Sequence, residues 1–193
     1  MKSPFSIFLF ATLLSIANAS AADSPLFVPP SQLEAAKQAK EFFEHGNYRE
    51  AEKIYETILA AAPDNLYVLS NLGVVRFRAG KLKLAADALR RAIAIAPADD
   101  FSHCTLGIVY YTQSSYDEAV NALTKALAIN PKNATAHQYL SIVATQKGWR
   151  EAAQKELETA TKLDPSLKPE PKLEGDFLTP LEKSRLQLPS AKK

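Results

Sequence analysis

The sequence predicts an all-α solenoid of four helix-turn-helix units, and three recurrences predict it. Pro63, Pro97, Pro131 and Pro165 are spaced by 34 residues, and Ala51, Ala85, Ala119 and Ala153 keep the same spacing. Gly46, Gly80 and Gly148 mark the period a third time, with Ser114 standing where a glycine is due. Self-similarity at a fixed period of this size is the signature of a repeat architecture, in which each unit buries its apolar face only by stacking on the next. The frame gives units 32–65, 66–99, 100–133 and 134–167.

The first stretch reads as an address. After Lys2 come Phe5, Ile7, Phe8, Leu9, Phe10, Leu13, Leu14 and Ile16, then Ala17, Asn18 and Ala19, which is a basic start, a short apolar core and small residues at signal-peptidase spacing. The apolar core is too short to span a bilayer, and no cysteine follows to accept a lipid, so residues 1–19 are expected to be cleaved without leaving a stable membrane insertion. The mature chain is then periplasmic or secreted. Residues 20–31, with Pro25, Pro29 and Pro30 around Leu26, Phe27 and Val28, form an extended lead-in against the first repeat.

Each unit should hold two helices. In the second, Leu69, Leu72 and Gly73 are followed, beyond Gly80, by Leu82, Ala85, Leu89, Ala92 and Ile93, both runs at helical spacing. The glycine ends the first helix because a C-terminal cap often needs positive φ, and the proline stops the second because it cannot donate an interior hydrogen bond. Ser31 before Glu34, Asn47 before Glu50 and Ser115 before Glu118 read as capping boxes. Asn133-Ala134-Thr135 fits a helix start or, in a eukaryotic secretory pathway, a glycosylation acceptor. The recurring alanines with Gly73, Gly107 and Ser141 let helix backbones approach, and Leu72, Leu106, Leu140, Leu89, Leu123 and Leu157 fill the space between.

After the last unit, residues 168–193 carry Pro169, Pro171, Pro180 and Pro189, with Thr179-Pro180-Leu181-Glu182 marking a short helix near 180–187. The tail is expected to fold back on repeat 4 through Leu173, Phe177, Leu178 and Leu181. A tail that recruits a partner, or that occupies the chain's own groove, is the competing reading.

Composition narrows the function classes. The 193 residues hold 23 Lys plus Arg against 21 Asp plus Glu, so a formal charge of +2 gives no strong attraction to nucleic acid or anionic lipid. One cysteine permits no internal disulfide. No Gly-rich phosphate loop, H-E-x-x-H or G-x-S-x-G is found, and His103 and His137 share one repeat position with no third metal ligand evident. No enzyme, cofactor or metal is expected.

On these residues the units resemble the tetratricopeptide repeat, a 34-residue helix-turn-helix with small residues at unit positions 8, 20 and 27 and proline at 32. Repeats 2 and 3 match best, while repeat 1 departs at Gln38 and Ile58 and repeat 4 at Ala144 and Arg150. The resemblance implies a right-handed solenoid whose first helices line a concave side, and it makes a protein-protein interaction module or assembly scaffold the expected function. The implied groove stripe is Tyr67, Ser70, Val74 and Phe77 in repeat 2, Phe101, Cys104, Ile108 and Tyr111 in repeat 3, and Thr135, Gln138, Ile142 and Thr145 in repeat 4. Such a trough suits a peptide or helix that inserts apolar side chains, with Asn71 hydrogen-bonding an extended backbone and Tyr139 forming an aromatic wall. The same stripe also fits packing between neighbouring first helices.

Some members of the family clamp acidic chaperone tails with lysine, arginine and asparagine. The matching places here hold Ala36, Lys40, Asn71, Phe101 and Thr105, and without the cations that clamp is not expected. Formal charge along the units is −3, +4, −1 and 0. Repeat 2, with Arg78, Lys81, Lys83, Arg90 and Arg91, therefore offers an alternative reading as a binder of an anionic envelope polymer, and Cys104 beside His103 offers another as a redox accessory. Neither the partner's identity nor the oligomeric state is fixed by these residues.

Overall fold

The computed structural model describes residues 30–167, with side chains from Gln32 onward. The export signal at 1–19, the lead-in up to residue 29 and the tail at 168–193 with its short helix near 180–187 lie outside the described residues. Among the described residues eight helices follow one another: α1 (Pro30–Glu44), α2 (Tyr48–Ala61), α3 (Leu66–Arg78), α4 (Leu82–Ile95), α5 (Asp100–Thr112), α6 (Tyr116–Ile129), α7 (Ala134–Gln146) and α8 (Arg150–Leu163). Two fall in each 34-residue frame. The first starts at Pro30, ahead of the frame and inside the stretch read as lead-in, because a proline is tolerated in the first helical turn.

The turns between paired helices need a left-handed residue, and the sequence supplies it. Gly46, Gly80 and Gly148 have φ of 76°, 74° and 75°, and Ser114 takes the same place at 61°. A side chain there crowds its own backbone. Replacing Ser114 with glycine is expected to stabilise the fold by about 1 kcal/mol, seen as a higher urea midpoint at unchanged slope.

The helix starts correct the sequence reading. Asn47 and Ser115 make no side-chain capping bond, and the side chain of Ser31 is outside the described residues. The chain enters α2 and α6 straight from the left-handed turn with ψ of 62° and 70° at the capping residue, short of the extended backbone that aims a side-chain oxygen back over the first turn. Capping falls instead on the first helix of repeats 2, 3 and 4. Asn65, Asp99 and Asn133 have ψ of 105°, 95° and 91°, and their side chains accept from Val68, Ser102 and Ala136 N–H. Asn133 is buried, and its amide also donates to Asp100 Oδ2 at 3.0 Å, so it is the helix-start reading that the geometry fits.

Each helix packs on the next in sequence, and α3 also touches α5 and α5 touches α7, so the first helices of repeats 2 to 4 form a continuous inner row. One buried cluster runs through the array from Ala36 to Val143. Small residues set its tightest contacts, as where Gly73 meets Leu89 and Gly107 meets Leu123. The far end of the array is open by comparison: α8 buries only Ala153 and Ala160.

The opposed charges of repeats 1 and 2 meet inside the molecule. Glu52 on α2 accepts from Arg76 Nε at 3.0 Å and Lys81 Nζ at 2.6 Å, while Arg76 Nη2 also reaches Glu56 at 2.7 Å. Arg91 donates to the Pro63 carbonyl at 2.8 Å, Arg90 pairs with Asp87, and the Arg78 guanidinium lies 5.7 Å above the Phe43 ring. Most of the cations that make repeat 2 basic are thus engaged by neighbouring groups of the same chain.

Candidate functional site

The predicted stripe does lie along the inner row, and it is more deeply covered than a free groove. Tyr67, Asn71, Val74 and Phe77 on α3 are 3%, 3%, 3% and 7% exposed. Phe101, Cys104 and Ile108 on α5 are 2%, 0% and 0% exposed, and Gln138 and Tyr139 on α7 are equally buried. Only Tyr111 and Ile142 are half-buried, and Thr145, at the end of α7, is exposed. Part of this burial is packing between neighbouring inner helices: Tyr111 meets Tyr139 edge-on at 5.9 Å, Ser70 bonds to Ser102 at 3.1 Å, and Phe43 and Tyr55 line a small void with Asn71 and Val74.

The polar groups of the stripe are tuned by this burial. Asn71, expected to meet a guest's backbone, turns its amide back to the Tyr67 carbonyl at 2.7 Å. The Tyr67 hydroxyl is buried without a hydrogen-bond partner, and desolvation pushes it up to about 12. Tyr139 is shifted upward too, first by desolvation and then by Cys104 and Tyr111; the positive charge of Arg78 acts in the opposite sense. Arg78 is thus near enough for its charge to act on Tyr139, while its guanidinium lies over the Phe43 and Tyr48 rings. Sequence reading counted Arg78 only in the basic patch of repeat 2; its place at unit position 13, one residue after Phe77, was the available signal.

Cys104 has the surroundings of a packing thiol. It is fully buried, its Sγ–H points to Asn133 Oδ1 at 3.9 Å, and burial with the nearby Asp100 carboxylate holds the thiol well above its usual range. His103 and His137 do one job in successive repeats: each Nε2–H donates to the carbonyl of the preceding repeat proline, Pro97 and Pro131, at 3.0 Å. His137 Nδ1 also meets Glu156 at 2.5 Å. Among the described residues no three His, Cys, Asp or Glu side chains converge as a metal site, and no helix is long and apolar enough to cross a membrane.

The fold and the inner stripe together define a helical-repeat protein built as an all-α solenoid. Tetratricopeptide repeat models match residues 36–100 and 110–170, and the chain belongs to the tetratricopeptide repeat family. No curated protein matches the sequence. Among solved structures, a crystal structure of MamA is similar with a TM-score of 0.65 and 25% identity, covering 71% of this chain and 80% of that one. MamA from Desulfovibrio magneticus RS-1 is similar with a TM-score of 0.64 at 22% identity over 71% of this chain and 77% of that one. YrrB, described as a TPR protein with an unusual peptide-binding site, superposes with a TM-score of 0.61 at 23% identity, covering 70% of each chain.

Proposed function

We propose that this chain is an exported, non-catalytic interaction module that takes a peptide or helix of a partner protein along the concave side of its inner row. The observation that carries the proposal is the run of large apolar side chains at one helical face in successive repeats: Tyr67, Val74 and Phe77, then Phe101 and Ile108, then Ile142. Rigid stacking fixes the spacing of such a run, and aromatic anchors held in place supply most of the binding free energy in an interface of this kind. The family supports a protein partner, and YrrB supports a peptide as one form it takes. Export is supported by the apolar segment ending at Ala17–Ala19.

The test is selection of peptides from a random library on the chain expressed from its own leader, followed by titration on variants. Tyr67→Ala with Phe101→Ala is expected to weaken the selected peptide roughly tenfold or more while the helical circular dichroism signal is kept. Undiminished affinity in that folded double variant would remove the groove from the account.

A further inference from the structure

We propose that the cleft between α4 and α6 is a second binding site, and that it takes a free peptide of about three residues with both of its ends charged. It is separate from the inner stripe and does not rest on the reading above.

Helix packing makes the cleft. Both α4 and α6 pack on α5, and where they part a cavity of about 280 Å³ opens. Its floor is His103, Leu106 and Tyr110 of α5, spaced i, i+3 and i+7 on a different face of that helix from Phe101, Cys104 and Ile108. Ile93 of α4 and Ala122 of α6 add apolar walls. Pockets for drug-sized molecules start near roughly 300 Å³, so this one suits a ligand of a few residues.

The same place recurs between successive units, and the chain fills it on both sides of this one. Between repeats 1 and 2, Arg76 stands where Tyr110 does, one 34-residue period earlier, and its guanidinium reaches Glu52 and Glu56 on α2. Between repeats 3 and 4, Glu156 stands where Ala122 does, and its carboxylate meets His137 Nδ1 at 2.5 Å. Repeat 3 has neither device. His103 gives its Nε2–H to the Pro97 carbonyl at 3.0 Å, as His137 does to Pro131, but with alanine at 122 its Nδ1 meets no partner among the described residues. In the neutral ring that nitrogen is an acceptor, and a peptide N–H is the kind of donor it takes.

Charge at the rim sets the ligand's ends. The α5–α6 hairpin is antiparallel, with Asn130 donating to Asp100 Oδ2 at 2.9 Å, so Lys125 stands at the His103 end and Glu118 at the Tyr110 end. Both are exposed, and neither joins an ion pair among the described residues. The third rim charge, Arg90, is compensated by Asp87. Lys125 follows Glu118 by seven residues, about 10.5 Å along one face of α6. Three residues of extended peptide span about 10 Å, which brings the terminal carboxylate to Lys125 and the ammonium to Glu118. Asn121, between those two charges, can bond to the peptide backbone, and an apolar middle side chain would rest on Leu106.

The experiment titrates the tripeptide Ala-Leu-Ala, with both ends free, into the full chain expressed from its own leader, followed by two-dimensional NMR. Saturable shifts are expected at His103, Leu106 and Lys125. Acetylating the amine or amidating the carboxylate should each weaken binding roughly threefold, the worth of an exposed ion pair. In Lys125→Gln, amidation should cease to matter while acetylation still does. Ala122→Glu installs the repeat-4 residue beside His103 and is expected to close the cleft, with binding lowered tenfold or more and the native spectrum kept. No saturation at millimolar peptide, shifts along the inner stripe in place of the cleft, a doubly blocked peptide that binds as well as the free one, or full binding by folded Ala122→Glu overturns the proposal. Should Ala122→Glu not fold, the Lys125→Gln comparison decides, since that side chain is exposed. The library-selected peptide and its dependence on Tyr67 and Phe101 are unaffected by these variants, so the two sites fail or stand separately.

Discussion

Replacing Glu52 with alanine is expected to lower the unfolding free energy by about 3 kcal/mol, the low end of the range for breaking a buried ion pair. Glu52 is 6% exposed and holds two cations from the next repeat, Arg76 at 3.0 Å and Lys81 at 2.6 Å. Without it the Arg76 guanidinium stays shielded by α2 and keeps only Glu56, at 2.7 Å, as an anionic partner in this cluster. The low end applies because Lys81 is 45% exposed and water can take over its charge. A chain with Glu52→Leu and Arg76→Met together should lose less than Glu52→Ala alone, since the cost lies chiefly in the orphaned charge. Urea unfolding of the two variants beside the parent chain measures this; equal losses for the single and the double change would show that the cluster is only shape.

The same cluster predicts a pH dependence. Burial by itself would raise Glu52, but the hydrogen bonds and charges of Lys81 and Arg76 outweigh it and hold the carboxyl below its ordinary value of 4.5. A depressed carboxyl stabilises the fold at pH above the unfolded value, and that stability is lost as pH falls through the lower, folded value. Glu52→Gln should therefore flatten the acid limb of stability below about pH 4.5 and leave the slope near neutrality unchanged. An acid limb of the same steepness in the variant assigns the sensitivity to other carboxyls.

How far the sequence carries this description depends on the range of each interaction. The helix pairs are legible because proline, glycine and the small residues act on the backbone within a turn of where they stand, and they recur at one period. Ser114 illustrates the rule, taking the left-handed conformation because the fold demands it, not because serine favours it. Capping was misplaced because the motif records residue types and not the incoming backbone; Asn65 and Asp99, each two residues past a repeat proline as Asn133 is, carried the missed signal at the same 34-residue spacing, of which only Asn133 was read as a helix start. The inner stripe was legible as a face. The depth of its burial was not, since periodicity says which side chains align and not what lies against them. The Glu52 cluster joins residues 24 and 29 apart, a separation at which charges in a sequence do not reveal their partners.

The largest packing effect is expected at Leu89, and it is coupled to one glycine. Leu89 is fully buried, and truncation to alanine should cost about 2–5 kcal/mol from lost transfer energy and the cavity left behind. The leucine sits where a Cβ on Gly73 would stand, 2.6 Å from its Cγ and 2.8 Å from its Cδ2. Gly73→Ala alone therefore overpacks the pair, at about 1–3 kcal/mol, partly offset by the roughly 1 kcal/mol that alanine gains in a helix. In the Leu89→Ala background the obstructing atoms are gone, the new methyl enters the cavity, and only the helical gain remains. The double variant should thus be more stable than the sum of its parts by about 1–3 kcal/mol. The equivalent pair one repeat on, Gly107 with Leu123, provides the internal control. There a Cβ would meet Leu123 at 2.6 Å and also the Ala119 carbonyl at 3.3 Å, and a backbone oxygen on the facing helix does not leave when the leucine is truncated. Rescue of Gly107→Ala by Leu123→Ala should accordingly be smaller than rescue of Gly73→Ala by Leu89→Ala. Equal coupling energies in the two cycles would mean that the side chains alone set the spacing of the paired helices; unequal ones, in the order given, place that control in the backbone of repeat 3.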